Sequence, residues 1–340
     1  MIPEEKRAKC VQNHVIDGSV KERVHGIQWN VANGEFGFKI NITDKPNTRR
    51  GILSIVASVF APLGIAAPIT LLAKLLLQEL CKQNLGWDQE IAVDDAVKWR
   101  NWLHQLQSSE QVKIQRCYQP FDFGKVVSYE LHHLADGSEL AYEAVSYLRI
   151  IDKNGQIHVA FLVGKARLAP CSRVTIPRLE LTAAVFAVKL NLVLRKKLKM
   201  NECSSTFWTD STAVLQSIRN SKKRFSTFVA NRLAKIDRNT DVSQWRHVPT
   251  KMNQADDASR GLRVDAYLKS GRWINGLEFL RLSEDKWPNM PDCFPDLPSE
   301  FCPKPVPETK SAFVIKEESS VMDKFIGFFS TFCRISAGYI

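Results

Sequence analysis

The sequence predicts an α/β fold in which a mixed five-stranded sheet, flanked by helices, follows a small, mainly helical module. Three observations support this fold class. An uncharged stretch and then helical periodicity occupy most of the first third of the chain. Three consecutive segments next alternate apolar and polar residues across short turns, which is typical of an antiparallel meander. The later strand-like segments each follow a helical segment, which favours parallel pairing beside the meander.

The composition restricts the kind of partner and the compartment. The 340 residues include 47 Lys and Arg against 36 Asp and Glu, a net charge of +11. This surplus favours a polyanionic partner such as nucleic acid, the alternative being a basic protein without one. The 8 cysteines form no Cys-x-x-Cys pair and are typical of scattered thiols in a reducing compartment. The polar N-terminus has no secretory signal, so we expect an intracellular protein, in either the cytoplasm or the nucleus.

The first third begins with a hairpin signal. "GIQWNVANGEFGFKI" places alternating apolar residues on both sides of an Asn-Gly turn. Residues 51–73 carry no charge, which leaves a transmembrane helix open by length alone. Three helix-breaking residues, Pro62, Gly64 and Pro68, favour two buried helices over about 49–60 and 66–83 instead. A third helix is predicted over about 92–107, and we expect no membrane segment.

The second third contains the meander. "VVSYELHHLAD" predicts a first strand that ends at Asp136, "AYEAVSYLRIID" a second, and "IHVAFLVGKARLA" a third after a Lys-Asn-Gly turn. Pro177 then opens a long helix whose last turn is cationic. "STFWTD" and "SQWRHVP" predict two further strands, separated by the helical segments "STAVLQSIRN" and "FSTFVANRLAKIDRN". "NQADDASR" begins the last helix of this part.

The predicted domain limits follow these changes of pattern. Residues 1–118 form the helical module with its N-terminal hairpin, and 119–262 form the α/β domain. Residues 263–340 are predicted to be a Pro-rich linker and an apolar C-terminal segment, with one helix over "GRWINGLEFLRLSEDKWP".

Four acidic residues fall where predicted strands end or helices begin. They are Asp136, Glu180, Asp210 and Asp256. Carboxylates that converge at one sheet edge repel one another unless cations lie between them, and Mg²⁺ prefers such oxygen ligands. Each residue also has an ordinary interpretation, as a turn former, a first-turn acid or an N-cap. Asp257 competes with Asp256 for the last position, and His247 is either a strand-end residue or an aid to proton transfer.

Three strings resemble one family specifically. "GKARLAPCSRVTIPRLELTAA", "FWTDSTAVLQSIR" and "WRHVPTKMNQADDASRG" are similar to Pao (BEL/Pao) LTR retrotransposon Pol polyproteins, including the region named the Pao retrotransposon peptidase family. "TRRGILSIVASVFAPLG" and "LGWDQEI" resemble the segment that follows the reverse transcriptase palm. The resemblance covers about residues 20–290. It implies a polyprotein fragment with an RNase H-like domain at about 121–262, preceded by a thumb or connection region of the reverse transcriptase.

The resemblance also implies an activity, hydrolysis of the RNA strand of RNA–DNA hybrids at a two-metal site holding Mg²⁺ or Mn²⁺. It assigns Asp136, Glu180, Asp210 and Asp256 as catalytic and metal-binding residues. RNA–DNA hybrid or another nucleic acid is the implied partner, together with other parts of a retroelement polyprotein. The residues expected to contact nucleic acid are Lys165, Arg167, Arg178, Ser211, Lys222, Lys223, Arg224, Asn231, Lys251 and Arg260.

Departures from the family pattern leave a second interpretation open. No Tyr-x-Asp-Asp motif is present, so polymerase activity is not supported. Ala61 replaces an expected Asp, and Glu143 replaces an expected Gly in the second strand of the meander. The alternative to a ribonuclease is therefore a catalytically decayed remnant that binds nucleic acid or is purely structural. The direction of the Glu143 side chain is expected to distinguish them. If it points into the acidic cluster, it would disturb the placement of the metal, whereas if it points to solvent, activity remains plausible.

Overall fold

The structure, a computed structural model, describes residues 21–24, 27–30, 33–38, 40, 42–59, 63–200, 202–220 and 224–302. Ala61 and the predicted apolar C-terminal segment lie outside these ranges. No helix within them is long and apolar enough to cross a bilayer.

A small antiparallel sheet opens the described chain. Its strands pair in the order β1 (Lys21–Val24), β2 (Ile27–Asn30), β3 (Glu35–Phe38) and β4 (Ile114–Gln115). The turn between β2 and β3 contains Gly34 at φ +62°, as the predicted Asn-Gly hairpin requires. Because β4 follows the helical module in sequence, it closes this module back onto the hairpin.

The uncharged stretch forms two helices, as predicted. They are α1 (Arg49–Ser58) and α2 (Ala67–Lys82), and α3 (Val93–Leu106) follows. The Thr48 hydroxyl caps α1 by accepting the Gly51 N–H at 3.2 Å. Pro68 lies in the first turn of α2, where its missing N–H costs no helical hydrogen bond. The buried faces of the three helices pack into one hydrophobic core.

The five-stranded sheet has the order β7-β6-β5-β8-β9. Its strands are β5 (Val126–Gly137), β6 (Ala141–Asp152), β7 (Ile157–Leu168), β8 (Ser204–Thr209) and β9 (Trp245–His247). The first three pair antiparallel, whereas β8 pairs parallel with β5 and β9 parallel with β8. This is the mixed sheet of the RNase H-like fold, and it confirms the predicted fold class.

Helices cover both faces of this sheet. The helices that follow the meander are α4 (Ile176–Leu198), α5 (Thr212–Arg219), α6 (Thr227–Asp237) and α7 (Ala255–Arg260). Leu131 and Ala135 of β5 belong to the core that also contains the buried residues of α4 to α6. Leu134 belongs to the opposite core, with α7 and the helical module. Because strand residues alternate between faces, Asp136 lies on the α7 side with Leu134.

Residues 264–302 pack against both cores, and the single long helix expected here is wrong. Two short helices, α8 (Val264–Ser270) and α9 (Arg272–Asn275), are followed only by 3₁₀ turns. Gly276 at φ +75° ends α9, because L residues rarely adopt that conformation. Trp273 and Phe301 are nevertheless fully buried, so this segment contributes to the hydrophobic cores. The domain limits at 118 and 262 remain predictions.

Candidate active site

Two carboxylates meet where parallel strands end. Ala135 of β5 is paired in register with Thr209 of β8, so the residues that follow, Asp136 and Asp210, are neighbours at the same edge. Asp136 is 7% exposed, and Asp210 is half-buried. The two residues therefore lie side by side, as the predicted topology requires.

Helix α4 brings Glu180 to this edge because Gly137 leaves room for it. A Cβ atom on Gly137 would lie only 2.5 Å from the Glu180 nitrogen and 2.6 Å from the Leu179 carbonyl carbon. The Ser211 hydroxyl donates to Glu180 Oε2 at 2.6 Å and accepts the Val214 N–H at 3.2 Å. Ser211 thus caps α5 and fixes the Glu180 carboxylate at the same time.

Helix α7 supplies two acids that differ in exposure. The Asp256 side chain is 27% exposed and pairs with Arg260, one turn further along the helix. The Asp257 side chain is 11% exposed and pairs with Arg272 at 3.0 Å. Of the two, only Asp256 contributes to the raised pKa of Asp136, and the choice of Asp256 as the fourth acid remains a prediction.

Asn253 joins the loop before α7 to the strand ends, and sequence reasoning missed it. Its Nδ2 donates to the Ala135 carbonyl oxygen at 3.3 Å and to Asp210 Oδ1 at 3.2 Å, and the side chain is fully buried. Its Oδ1 accepts the Ala255 N–H at 3.2 Å. The position of an Asn directly before a predicted helix was the available signal.

The electrostatics of the site reflect its crowding with carboxylates. Burial raises the pKa of Asp136 to about 7, and the charges of Asp210, Asp256 and Glu180 add to this effect. Burial also raises the pKa of Glu180, against the hydrogen bond from Ser211. Burial among other carboxylates thus favours the protonated form of Asp136.

The donor set fits a divalent cation in its chemistry. Carboxylate oxygens are the ligands that Mg²⁺ and Mn²⁺ prefer, and Asp136 is a buried carboxyl group with three acidic neighbours. In the described part of the chain, however, no three His, Cys, Asp or Glu side chains form a group that could hold a metal ion. The two-metal site therefore remains a prediction.

Glu143 points toward this edge and not to solvent. It is paired in register with Asp136 across β5 and β6, and it is fully buried. Burial raises its pKa well above the usual range, with Asp136 and Asp257 adding to the effect and the Ala258 backbone amide opposing it. Of the two directions considered from the sequence, the structure shows the one that places Glu143 against the acidic cluster.

His247 ends β9 beside the site. It is paired in register with Thr209, the residue before Asp210. Burial lowers the pKa of His247, whereas the Asp210 charge acts in the opposite direction. Its backbone N–H donates to the Met290 sulfur at 3.1 Å. The imidazole is therefore neutral near pH 7 and lies close to the strand ends.

The predicted nucleic-acid contacts fall into groups. Lys165 and Arg167 lie on β7 beside the Phe186 ring, at 5.8 and 5.4 Å from its centroid. Arg178 is half-buried against Phe228, and its Nε lies 3.9 Å from Glu300 Oε2. These three side chains lie near the first half of α4.

The remaining predicted contacts are divided between surface and interior. The exposed ones are Arg224, Asn231, Lys251 and Arg260. Ser211 is 5% exposed and is bound to Glu180, so its side chain is a support of the acidic site. Lys222 and Lys223 lie outside the described residues.

Comparisons with known proteins agree with this architecture. Residues 48–211 match a family described as the Pao retrotransposon-like RNaseH-like domain. A search of curated proteins found no match.

Several solved structures are similar to part of the chain. RNase H1 from the halophilic archaeon Halobacterium salinarum NRC-1 is 15% identical over 40% of this chain and 92% of its own, with a TM-score of 0.26. LC11-RNase H1, solved with an RNA/DNA hybrid, is 16% identical over 42% of this chain and 99% of its own, with a TM-score of 0.28. The foamy viral protease-reverse transcriptase, solved with dsDNA, is 13% identical over 67% of this chain and 47% of its own, with a TM-score of 0.20.

The family match contains three of the four converging acids, Asp136, Glu180 and Asp210, and both the helical module and most of the sheet. The order and directions of the sheet strands agree with it independently. The resemblance found in the sequence is thus confirmed over residues 48–211, which match the family of the Pao retrotransposon-like RNaseH-like domain.

Proposed function

We propose that this protein is a divalent-metal-dependent ribonuclease that hydrolyses the RNA strand of RNA–DNA hybrids. The observation that carries the proposal is Asp136, a buried carboxylate at the end of β5 whose pKa is raised to about 7 by burial and by three neighbouring acids. Such a site gains most from binding cations, and paired cations suit phosphodiester cleavage.

The four acids have distinct roles in this proposal. Asp136 and Asp210 would hold the cations jointly, Glu180 would hold one of them, and Asp256 would complete the second position. When bound, a pair of divalent cations activates the attacking water and stabilises the oxygen that leaves the phosphorus. The imidazole of His247, at the end of the neighbouring strand, would accept a proton near Asp210.

Two polar residues keep these carboxylates in place. Ser211 ties Glu180 to the first turn of α5, and Asn253 ties Asp210 to the β5 backbone. Since both supports are buried and hydrogen-bonded, the site is largely preorganised before the substrate arrives.

The substrate would be held through its phosphates. The cationic side chains proposed to bind these phosphates are the exposed Arg224, Lys251 and Arg260 and the β7 pair Lys165 and Arg167, in a chain of net charge +11. An enzyme with this substrate must distinguish RNA from DNA, and the 2′-hydroxyl is the group by which the two strands differ.

A second candidate is a remnant that binds hybrid without cutting it. It is favoured by the buried Glu143 carboxyl at the site and by the absence of a ready three-ligand group in the described ranges. The basic surface would be retained in such a protein, whereas metal-dependent cleavage would be absent.

Cleavage of a labelled RNA–DNA hybrid by the full chain, with Mg²⁺ or Mn²⁺, tests the proposal. We expect metal-dependent cutting of the RNA strand that Asp210→Asn abolishes. The matched control is Asp88→Asn, which removes an exposed carboxylate in the helical module. Hybrid binding without cleavage would establish the remnant instead, and neither binding nor cleavage would overturn both candidates.

A further inference from the structure

Glu143 occupies a position that its immediate surroundings do not explain. In the antiparallel pair of β5 and β6, Glu143 lies directly opposite Asp136. Side chains at such paired positions point to the same face, with Cβ atoms about 4.5–5.5 Å apart. The side chain is therefore directed at the edge where Asp136 lies, underneath α7.

The Glu143 carboxyl group has no adequate partner there. It is fully buried, and neither of its oxygens has a hydrogen bond of regular geometry within the described residues; the Ala258 backbone amide lies near it without completing one. The charges that act on it most strongly are all carboxylates, those of Asp136, Asp257 and Asp256. The nearby cation Arg272 is instead paired with Asp257, at 3.0 Å.

A buried carboxyl group without a partner destabilises a fold, and a group facing other carboxylates does so more strongly. If this position only filled the space under α7, an apolar side chain would fill it equally well without the cost of burying a carboxyl group. A cation beside Asp136 would supply the partner that Glu143 lacks, since oxygen ligands of divalent cations can come from several carboxylates at once.

We propose that Glu143 is a fifth carboxylate of the cation site, which binds a divalent ion at Asp136 from the β6 side. The inference rests on the proposed function, because it requires a cation at Asp136. It adds a ligand from a strand that contributes none of the four acids assigned above. Glu143 would thus strengthen the site, in contrast to the disturbance expected from the sequence.

Binding of Mn²⁺ to the full chain, without nucleic acid, tests this inference. Free Mn²⁺ is followed by its electron paramagnetic resonance signal, and the increase in Tm at saturating Mn²⁺ is measured in parallel. We expect Glu143→Gln to weaken Mn²⁺ binding at least 10-fold and to reduce the Tm increase. Glu139→Gln, which removes an exposed carboxylate in the adjoining loop, should change the affinity less than twofold.

Two further variants keep the outcomes separate. Glu143→Asp retains a carboxylate and should bind Mn²⁺ more tightly than Glu143→Gln, a comparison that remains available if one variant folds poorly. Loss of binding in Asp136→Asn with unchanged affinity in Glu143→Gln would overturn the role of Glu143 and leave the proposed function intact. Equal binding by the wild type and Asp136→Asn would overturn both.

Discussion

Replacing Arg149 with Met should destabilise the protein by removing the contacts that hold residues 278–287 against the sheet. Arg149 is 4% exposed, and its Nε donates to the Leu280 carbonyl at 2.7 Å. Its other nitrogens donate to the Leu282 carbonyl at 3.0 Å and to Glu130 at 2.8 Å. The guanidinium also lies 5.3 Å from the centre of the Trp287 ring. One side chain of β6 thus anchors a segment more than 130 residues later in the chain.

The size of the effect follows from what the substitution leaves behind. Burial alone would raise the pKa of Glu130, but His132 and Arg149 hold it below its usual value, so Glu130 is ionised at neutral pH. Arg149→Met leaves this carboxylate and two carbonyls without their donor. Breaking a buried pair in this way costs about 3–5 kcal/mol of the free energy of unfolding. In a protein of this size, whose entropy of unfolding is about 0.7 kcal/mol/K, that corresponds to a decrease in Tm of about 4–7 °C.

Urea denaturation followed by tryptophan fluorescence and circular dichroism measures this loss. Because the exposed Arg50 makes a comparable pair with Asp88, at 2.7 Å, Arg50→Met is the matched control and should leave stability unchanged within error. Combining Arg149→Met with Glu130→Gln should restore part of the lost stability, since the stranded charge is removed. A loss in Arg149→Met no larger than that in the control would refute the reasoning, and with it the anchoring role of this contact.

Two further predictions concern the site and the core. Gly137→Ala should reduce hybrid cleavage at least 10-fold while the fold is retained. The reason is that a Cβ atom 2.5 Å from the Glu180 nitrogen must displace α4. Unchanged cleavage by a variant whose circular dichroism shows a retained fold would contradict this. Burial lowers the pKa of His133 to about 3, so below pH 6.5 the unfolded chain takes up a proton that the folded chain does not. The contribution of neutral His133 to the free energy of unfolding is therefore fully present above pH 6.5. Between pH 6.5 and about pH 3 it decreases by about 1.4 kcal/mol for each unit that the pH falls. The difference in unfolding free energy between wild type and His133→Gln, measured in EDTA from pH 7 to 4.5, should show this slope, and a constant difference would contradict it.

Local patterns in the sequence were sufficient for most of the fold. The break in the uncharged stretch predicted α1 and α2, because Pro and Gly act on the backbone within a turn of their own position. Alternation of apolar and polar residues predicted β5, and the parallel pairing expected beside the meander is the pairing of β5 with β8 that makes Asp136 and Asp210 neighbours. These features depend on short-range periodicity and on the rules for strand connections.

Features that depend on long-range packing could not be predicted in this way. Asn253 donates hydrogen bonds to Ala135 and Asp210, which are distant in sequence. Its position before a predicted helix indicates a capping residue but does not identify these two partners. Ser211 was expected to contact nucleic acid, and its hydroxyl instead donates to Glu180, which is distant in sequence. The long helix expected near residue 272 failed because Gly276 and burial against β7 outweigh helical periodicity.

The packing of the helical module explains why the family match crosses the predicted boundary at residue 118. The Gly164 N–H of β7 donates to the Leu63 carbonyl at 2.8 Å, and Trp273 Nε1 donates to the Gly64 carbonyl at 3.2 Å. A Cβ atom on Gly64 would lie only 1.7 Å from the Gly164 carbonyl oxygen, so this approach requires glycine. The turn before α2 therefore covers β7 of the sheet, and Leu262, just after α7, donates its N–H to the Pro68 carbonyl of α2 at 3.0 Å. Since α7 carries Asp256, the helical module supports the position of a predicted metal ligand, and the acidic site depends on residues from both sides of that boundary.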